Sequence, residues 1–163
     1  MVDNSIVDIV RMMQLKLNSP QATEQLGARL AERTRAGSVL YLRGDLGTGK
    51  TTLVRGFLRG LGYSGTVKSP SYTLLEPYEL TDRLVLHCDL YRLTDAGELE
   101  FLGLRDFLDA QTTLLVEWPE RARALLPPAD LEISLAYSDT GRLCCVRATS
   151  AAGEAVLVED LLN

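Results

Sequence analysis

The chain has 163 residues, of which 46% are hydrophobic and 24% charged, and its net charge at pH 7 is −5. No apolar run approaches the ~20 residues of a membrane-spanning helix, and the first residues lack the basic start and the small-residue cleavage site of a secretory signal. The acidic balance argues against direct nucleic-acid binding, because basic contacts to phosphate supply most of that affinity. We therefore expect one cytoplasmic domain, residues 1–163, that binds neither membrane nor DNA and that could reach other nucleic acids only through a protein partner.

Short apolar runs alternate with helical patterns along the chain, which predicts an α/β fold. Residues 13–18 read as a first strand. Ser19 and Pro20 then form a typical helix start, an N-cap followed by proline at the first helical position, for a helix to about Ala36. The run SVLYLRG (38–44) is almost continuously apolar, which indicates a central parallel strand covered on both faces.

The middle of the chain predicts a helix over 50–61 and then a hairpin made of 73–80 and 83–90. A helical stretch follows over 95–110, with a break near Gly103.

The last third predicts a buried strand over 112–118 and a short helix over 119–126, ended by two prolines. A second hairpin combines 131–137 with 142–149. The tail, 155–163, is expected to cover the sheet as a strand or short helix.

Residues 44–51 read GDLGTGKT and match the phosphate-binding signature G-x-x-x-x-G-K-[ST] without a gap. The glycines permit backbone angles that a Cβ would exclude, so successive N–H groups can surround an anion at the start of the next helix. Lys50 would bridge the β- and γ-phosphates, and the Thr51 hydroxyl would bind Mg²⁺. The residues expected to contact the nucleotide are Asp45, Leu46, Gly47, Thr48, Gly49, Lys50, Thr51 and Thr52. A chance match arises in roughly one such chain in two hundred, so we predict nucleotide binding.

Two apolar runs end in a carboxylate, Asp89 after LVLHC and Glu117 after LLV. One acid at a strand end is more often a capping or solvated group, but two of them beside a phosphate loop favour a catalytic role with Lys50. We expect both to face the γ-phosphate and, with Thr51, to hold Mg²⁺ or align the attacking water. Which of the two lies nearer the metal stays open. His87, the only histidine, is expected to be a core residue.

The base and the reaction are less directly encoded. No N-K-x-D segment is present to read guanine, so ATP is preferred. A small-molecule kinase remains the alternative, with Arg121 and Arg123 as lid arginines, although a solvated helix face explains them better. A nucleotide-binding regulatory module without turnover is a third possibility.

Several motifs together resemble the TsaE family, the bacterial ATPases of the pathway that makes threonylcarbamoyladenosine in tRNA. The motifs are GDLGTGKTT (44–52), VKSPSYTLLEPY (67–78), HCDLYRL (87–93), ELEFLGLRDF (98–107) and VEWPE (116–120). One position departs from the pattern, since Ser71 stands where threonine is more usual. The resemblance implies a three-layer P-loop NTPase fold, with a mostly parallel sheet, antiparallel hairpins and helices on both faces.

The resemblance also implies roles for residues outside the phosphate loop. A switch-like loop would sense the γ-phosphate through Ser69, Ser71, Tyr72 and Thr73. Asp89 would belong to the magnesium shell, Glu117 would be the second key carboxylate, and Arg142 would approach the nucleotide. ATP binding would favour docking onto a TsaB–TsaD heterodimer, and hydrolysis, slow in the isolated chain, would reset that complex.

Overall fold

The computed structural model describes residues 11–158 and residue 161. Seven strands in this part of the chain form one sheet. They are β1 (Met12–Leu17), β2 (Val39–Arg43), β3 (Leu75–Glu79), β4 (Leu84–Asp89), β5 (Thr112–Glu117), β6 (Leu131–Ser138) and β7 (Gly141–Ala148).

The strand order is β1-β7-β6-β2-β5-β4-β3. The four strands β6, β2, β5 and β4 are parallel, whereas β1, β7 and β3 pair antiparallel with their neighbours. Both predicted hairpins are confirmed, β3 with β4 and β6 with β7. The parallel strands are nearly continuous apolar runs because both of their faces are covered.

Five α-helices are described: α1 (Pro20–Arg33), α2 (Lys50–Gly60), α3 (Gly97–Phe101), α4 (Leu104–Phe107) and α5 (Ala151–Val156). The predicted start of α1 is confirmed, since the Ser19 hydroxyl accepts a hydrogen bond from the Ala22 N–H at 3.1 Å. Helices α1 and α2 approach closely where Gly56 faces Glu24. A Cβ at Gly56 would lie 2.0 Å from the Glu24 carbonyl oxygen, so only glycine permits this spacing.

Alternate residues of the sheet supply two hydrophobic layers. On one face, Leu115 packs in a layer with Leu26 of α1 and Phe57 of α2. On the other face, Leu114 packs in a layer with Leu99 of α3. The expectation of helices on both faces of a mixed, largely parallel sheet is therefore confirmed.

The structure changes some element boundaries. The predicted break near Gly103 separates α3 from α4, because Gly103 adopts a left-handed conformation with φ of 71°. The predicted short helix over 119–126 consists of two 3-10 turns, Pro119–Arg121 and Arg123–Leu125, since Ala122 between them has φ of −144°.

The last helix also differs from its prediction. It begins at Ala151, where the Ser150 hydroxyl accepts from the Gly153 N–H, and most of it precedes the predicted 155–163. Residues 159–160 and 162–163 of that prediction lie outside the described residues. None of the helices in the described part of the chain has the length and hydropathy needed to cross a membrane.

Candidate active site

The segment between β2 and α2 forms a tight loop whose geometry depends on glycine. Gly44, Gly47 and Gly49 have φ angles of 144°, 77° and 110°, in a region that side chains with a Cβ rarely adopt. Gly49 lies directly before Lys50, the first residue of α2. The loop therefore continues directly into the N-terminus of a helix. The N–H groups there lack intrahelical partners, so they can bind an anion.

Side chains from the distant hairpin of β6 and β7 hold the outside of this loop. Arg142 donates from Nε to the Thr48 carbonyl oxygen and from Nη2 to the Gly47 carbonyl oxygen, both at 3.1 Å. The Tyr137 hydroxyl donates to the Leu46 carbonyl oxygen. Arg142, predicted to approach a nucleotide, thus contacts the loop backbone directly.

Lys50 is buried at the base of the loop, with 5% of its surface exposed. Its Nζ donates to the carbonyl oxygens of Gly44 at 2.6 Å and Asp45 at 2.9 Å, and lies 4.8 Å from the centre of the Trp118 ring. Burial lowers the pKa of Lys50 from its usual 10.5, although the negative charges of nearby carboxylates, Glu117 first, oppose the shift. An anionic phosphate beside Nζ would stabilise this poorly solvated cation.

The two strand-end carboxylates meet at the same edge of the sheet. Asp89 and Glu117 are register partners in the parallel pair of β4 and β5, and both are buried. The Thr51 hydroxyl donates to Oε1 of Glu117 at 2.9 Å. The structure therefore brings the first turn of α2 and both acids together, as the sequence pattern predicts.

His87 also takes part in this cluster. Its Nε2 lies 2.9 Å from Oε1 of Glu117, the ring is fully buried, and its Nδ1 has no hydrogen-bond partner among the described residues. The histidine is in the core, as expected, but its contact with Glu117 was not predicted. A signal was available: residues two apart in a strand share a face, which places His87 beside Asp89.

The switch-like loop reaches the cluster through hydroxyl groups. Ser69 and Ser71 donate to Oδ2 of Asp89 at 2.6 and 3.2 Å. Leu74, with a left-handed φ of 64°, accepts from the Asp89 N–H at 3.0 Å. At Ser71, the position that departs from the family pattern, the hydroxyl is therefore in use.

These groups surround a cleft of about 240 Å³. The predicted residues that line it are Leu46, Gly47, Gly49, Lys50, Thr51, Thr52, Ser69, Ser71, Asp89 and Glu117. The predicted residues that do not line it are Asp45, Thr48, Tyr72, Thr73 and Arg142.

A second cavity of about 280 Å³ lies against the same loop and is lined in part by Asn18, Ser19 and Arg142. Asn18 and Ser19 carried no sequence signal for a site beyond the helix cap.

The model of the family described as "Threonylcarbamoyl adenosine biosynthesis protein TsaE" matches residues 17–144.

The chain belongs to the TsaE family.

TsaE takes part in threonylcarbamoyladenosine biosynthesis in tRNA. The chain is similar to TsaE of Haemophilus influenzae, with 45% identity over 123 residues, 72% of this chain and 78% of that protein. It is also similar to TsaE of Bacillus subtilis, with 39% identity over 124 residues, 75% and 77% of the two chains. The crystal structure of B. subtilis YdiB superposes with a TM-score of 0.77 and 30% identity, covering 91% of this chain and 93% of that chain. The resemblance inferred from the motifs is confirmed.

The donors in this TsaE cleft fit magnesium better than a metal held by protein alone. In the described part of the chain, no group of three or more His, Cys, Asp and Glu side chains is arranged to hold a metal ion. Thr51, Asp89 and Glu117 instead offer hard oxygen atoms beside a phosphate loop. Mg²⁺ uses one or two carboxylates together with substrate phosphates and water, which matches this donor set.

Backbone strain is concentrated beside the two acids. Among the described residues, Leu74 and Trp118 are the only non-glycine residues with positive φ. Trp118 directly follows Glu117, and Leu74 is hydrogen-bonded to the backbone of Asp89. Each such conformation raises the free energy of the folded state by on the order of 1 kcal/mol or more, and such conformations are typical of functional sites.

The lid arginines of the kinase alternative do not line the cleft. Arg121 lies with its guanidinium carbon 6.0 Å from the centre of the Tyr91 ring, and Arg123 lines a different cavity, near Tyr41. Both belong to the 3-10 turns after β5 rather than to a mobile segment between helices. Nothing in the described part of the chain favours the kinase.

Proposed function

We propose that this protein is a P-loop NTPase that hydrolyses Mg-ATP and thereby drives a cycle of tRNA threonylcarbamoyladenosine synthesis. The observation that carries the proposal is the hydrogen bond of 2.9 Å between Thr51 and Glu117, with Asp89 as the register partner of Glu117. It joins the start of a helix after a phosphate-binding sequence to two buried carboxylates. Those are the parts that phosphoryl transfer to water requires.

The phosphate loop would bind the triphosphate through its backbone. Lys50 would exchange its hydrogen bonds with the Gly44 and Asp45 carbonyl oxygens for bonds to the β- and γ-phosphates. The nucleotide contacts would come from Asp45, Leu46, Gly47, Thr48, Gly49, Lys50, Thr51 and Thr52. Arg142 would act at the edge of this set, since it holds the loop and lines the adjoining cavity. That cavity shares Gly47, Gly49 and Thr52 with the cleft and is where ribose and base would extend.

Thr51, Asp89 and Glu117 would hold Mg²⁺, directly or through water. When bound, the ion neutralises charge on the phosphate oxygens. Glu117 also has a second role available, because the two described hydrogen bonds of its carboxylate, from Thr51 and with His87, both fall on Oε1. We assign Oε2 to the alignment of the attacking water, with His87 and Thr51 fixing the carboxylate in place.

Ser69 and Ser71 would report the state of the site to the surface, because their hydroxyls contact Asp89 while Tyr72 and Thr73 lie outside the cleft. The partner we propose is the TsaB–TsaD heterodimer in the cytoplasm. ATP binding would favour docking and hydrolysis would release the complex. The net charge of −5 suits a protein that meets tRNA only through this partner.

Phosphate release from Mg-ATP tests this proposal, measured for the chain alone and with the TsaB–TsaD heterodimer. We expect slow release that rises with the heterodimer. Glu117→Gln keeps the size of the side chain and should reduce release by roughly 10²-fold or more while ATP still binds. Glu120→Gln, at an exposed neighbour of Glu117, should change nothing.

Tight ATP binding without release in either condition would reject the ATPase and direct the search to a phosphoryl acceptor. Equal release by wild type and Glu117→Gln would reject the assigned role of this carboxylate.

A further inference from the structure

A patch of exposed apolar side chains lies between α3 and the switch-like loop. Phe101 is 94% exposed and Tyr72 is 83% exposed. Together with Leu102, Thr73 and the buried Leu74 they border a groove of about 460 Å³, and we name these five residues the α3 patch. An almost fully exposed phenylalanine has no role in the packing of the described residues, and clusters of such side chains commonly mark contact sites.

The chain around the patch is strongly acidic. Residues 94–109 contain five carboxylates and one arginine, a net charge of −4 in a chain whose total is −5. Glu98 lines the groove, and its carboxylate accepts hydrogen bonds from the Thr94 hydroxyl at 2.7 Å and the Asp95 N–H at 3.1 Å. These bonds lower the pKa of Glu98, so it stays ionised at neutral pH. The α3 side of the patch is therefore acidic, and the partner's rim facing it would be basic, whereas on the Tyr72 side the guanidinium carbon of Arg92 lies 4.4 Å from the ring centre.

The patch is connected to the site by short covalent and hydrogen-bonded paths. Leu74 belongs to the patch, and its carbonyl oxygen accepts from the Asp89 N–H at 3.0 Å. Tyr72 directly follows Ser71, whose hydroxyl donates to Oδ2 of Asp89. Asp89 is therefore connected to the groove by a path of only one or two residues.

The acidic charge also indicates which kind of molecule can bind to the α3 patch. A second copy packed through a two-fold axis would place the acidic segment against itself, which costs free energy. A nucleic acid would meet the same repulsion. A protein with an apolar pocket bordered by lysine or arginine has neither problem.

We infer that the α3 patch is the docking surface for a partner protein, with Phe101 inserted into an apolar pocket whose rim is basic. The inference rests on the proposed function, in which that partner is the TsaB–TsaD heterodimer. It adds the place of contact and the route by which the γ-phosphate site controls it.

The test measures binding of the heterodimer to the full chain with Mg-ATP, together with phosphate release by the chain alone. Phe101→Ser should weaken binding at least tenfold, because truncating a buried aromatic anchor at an interface has an effect of that size. Its own phosphate release should equal that of wild type. The control is Leu143→Ser, at an exposed apolar residue of β7 that lies outside the patch.

Charge is tested with a second matched pair. Glu100→Lys, whose carboxylate lies 3.6 Å from Arg105 in an exposed pair, should slow association severalfold at low salt. Glu32→Lys breaks a similar exposed pair with Arg29 on α1 and should leave the association rate unchanged.

The outcomes separate the two levels of the proposal. If wild type itself does not bind the heterodimer, the proposed function fails and the inference fails with it. If wild type binds and Phe101→Ser binds equally well, only the docking surface is wrong. If sedimentation shows a wild-type dimer that Phe101→Ser dissociates, the patch is a contact between copies of this chain and the inference is overturned.

Discussion

The phosphate loop (44–52) and the switch-like loop (69–74) line the same cleft but are held in different ways. The phosphate loop is fixed from outside through its backbone: Arg142 and Tyr137 donate to its carbonyl oxygens. The switch-like loop reaches the site through two serine hydroxyls on one oxygen of Asp89. The contacts to its carbonyl oxygens hold the phosphate loop in one conformation. A cation can compete with the two serine hydroxyls for Oδ2 of Asp89.

This difference indicates a division of work. A loop whose carbonyl oxygens are engaged from outside can present its N–H groups to an anion without rearranging, which favours tight binding. A loop held by hydroxyls that also suit Mg²⁺ changes its contacts when the site fills, which favours signalling. Four predictions test this comparison.

The largest effect is expected at the phosphate loop itself. Lys50→Ala removes a buried ammonium that would form charge-assisted hydrogen bonds to phosphate, each contributing roughly 1.5–3 kcal/mol. We expect ATP affinity to fall by roughly 100-fold, measured by calorimetry. Arg55→Ala, on the same helix but paired with Glu24 at 3.4 Å, is the control and should bind ATP normally. If Lys50→Ala bound ATP as tightly as wild type, the loop would not be part of the ATP-binding site.

The external support of the loop is the next target. Arg142→Ala removes two donors to the loop backbone, so we expect ATP affinity to fall about tenfold and the free energy of unfolding to fall by roughly 1–2 kcal/mol. Arg147→Ala on the same strand loses a pair with the half-buried Glu132, which keeps Arg43 as a second partner at 3.5 Å, and should cost less than about 1 kcal/mol. Equal effects of the two changes in urea unfolding and ATP titration would show that Arg142 does not support the loop.

A smaller effect is expected at the switch-like loop. Ser69→Ala removes the shorter of the two hydroxyl contacts with Asp89, with which a cation must compete. The Mg²⁺ concentration for half-maximal phosphate release should therefore fall by roughly threefold, which corresponds to the lower part of the range for one net hydrogen bond. ATP affinity without Mg²⁺ should stay unchanged. Ser64→Ala, at an exposed serine earlier in the same connection, is the control. A loss of ATP affinity without metal would place Ser69 with the phosphate loop instead.

The smallest effect concerns pH. Because the folded protein holds the pKa of Lys50 below 10.5, the unfolded chain binds more protons at this residue between the lowered value and 10.5. Stability should therefore rise with pH across that window, and this contribution should be absent in Lys50→Met. The measurement is the free energy of urea unfolding for both proteins, without nucleotide or Mg²⁺, from pH 7 to 10. A difference between them that is independent of pH would contradict the shifted pKa.

Much of the site could be predicted from sequence because its parts are local. The phosphate loop needs glycine at particular backbone angles, and those residues are adjacent in the chain. Asp89 and Glu117 were found because each ends an apolar strand, and parallel strands end at one edge of a sheet. The helix start at Ser19 and the break at Gly103 follow from similar local rules.

The rest depended on contacts between distant segments. The bond between His87 and Glu117 requires the register of β4 against β5, which no local pattern fixes. The contacts of Tyr137 and Arg142 with the phosphate loop join residues more than 90 positions apart. The 3-10 turns after Glu117 depend on the left-handed conformation of Trp118, whose ring packs near Lys50 and Tyr91.

The contact between Arg142 and Thr48 also bears on the order of events during protein synthesis. The two residues are separated by 94 positions, and β7 joins the sheet only through β6 and β1. At roughly 5–20 residues per second, the ribosome produces Arg142 about 5–20 s after the phosphate loop. The complete phosphate-binding motif therefore leaves the ribosome long before its support, so we expect a nascent chain to acquire its full affinity for nucleotide only when the last hairpin closes.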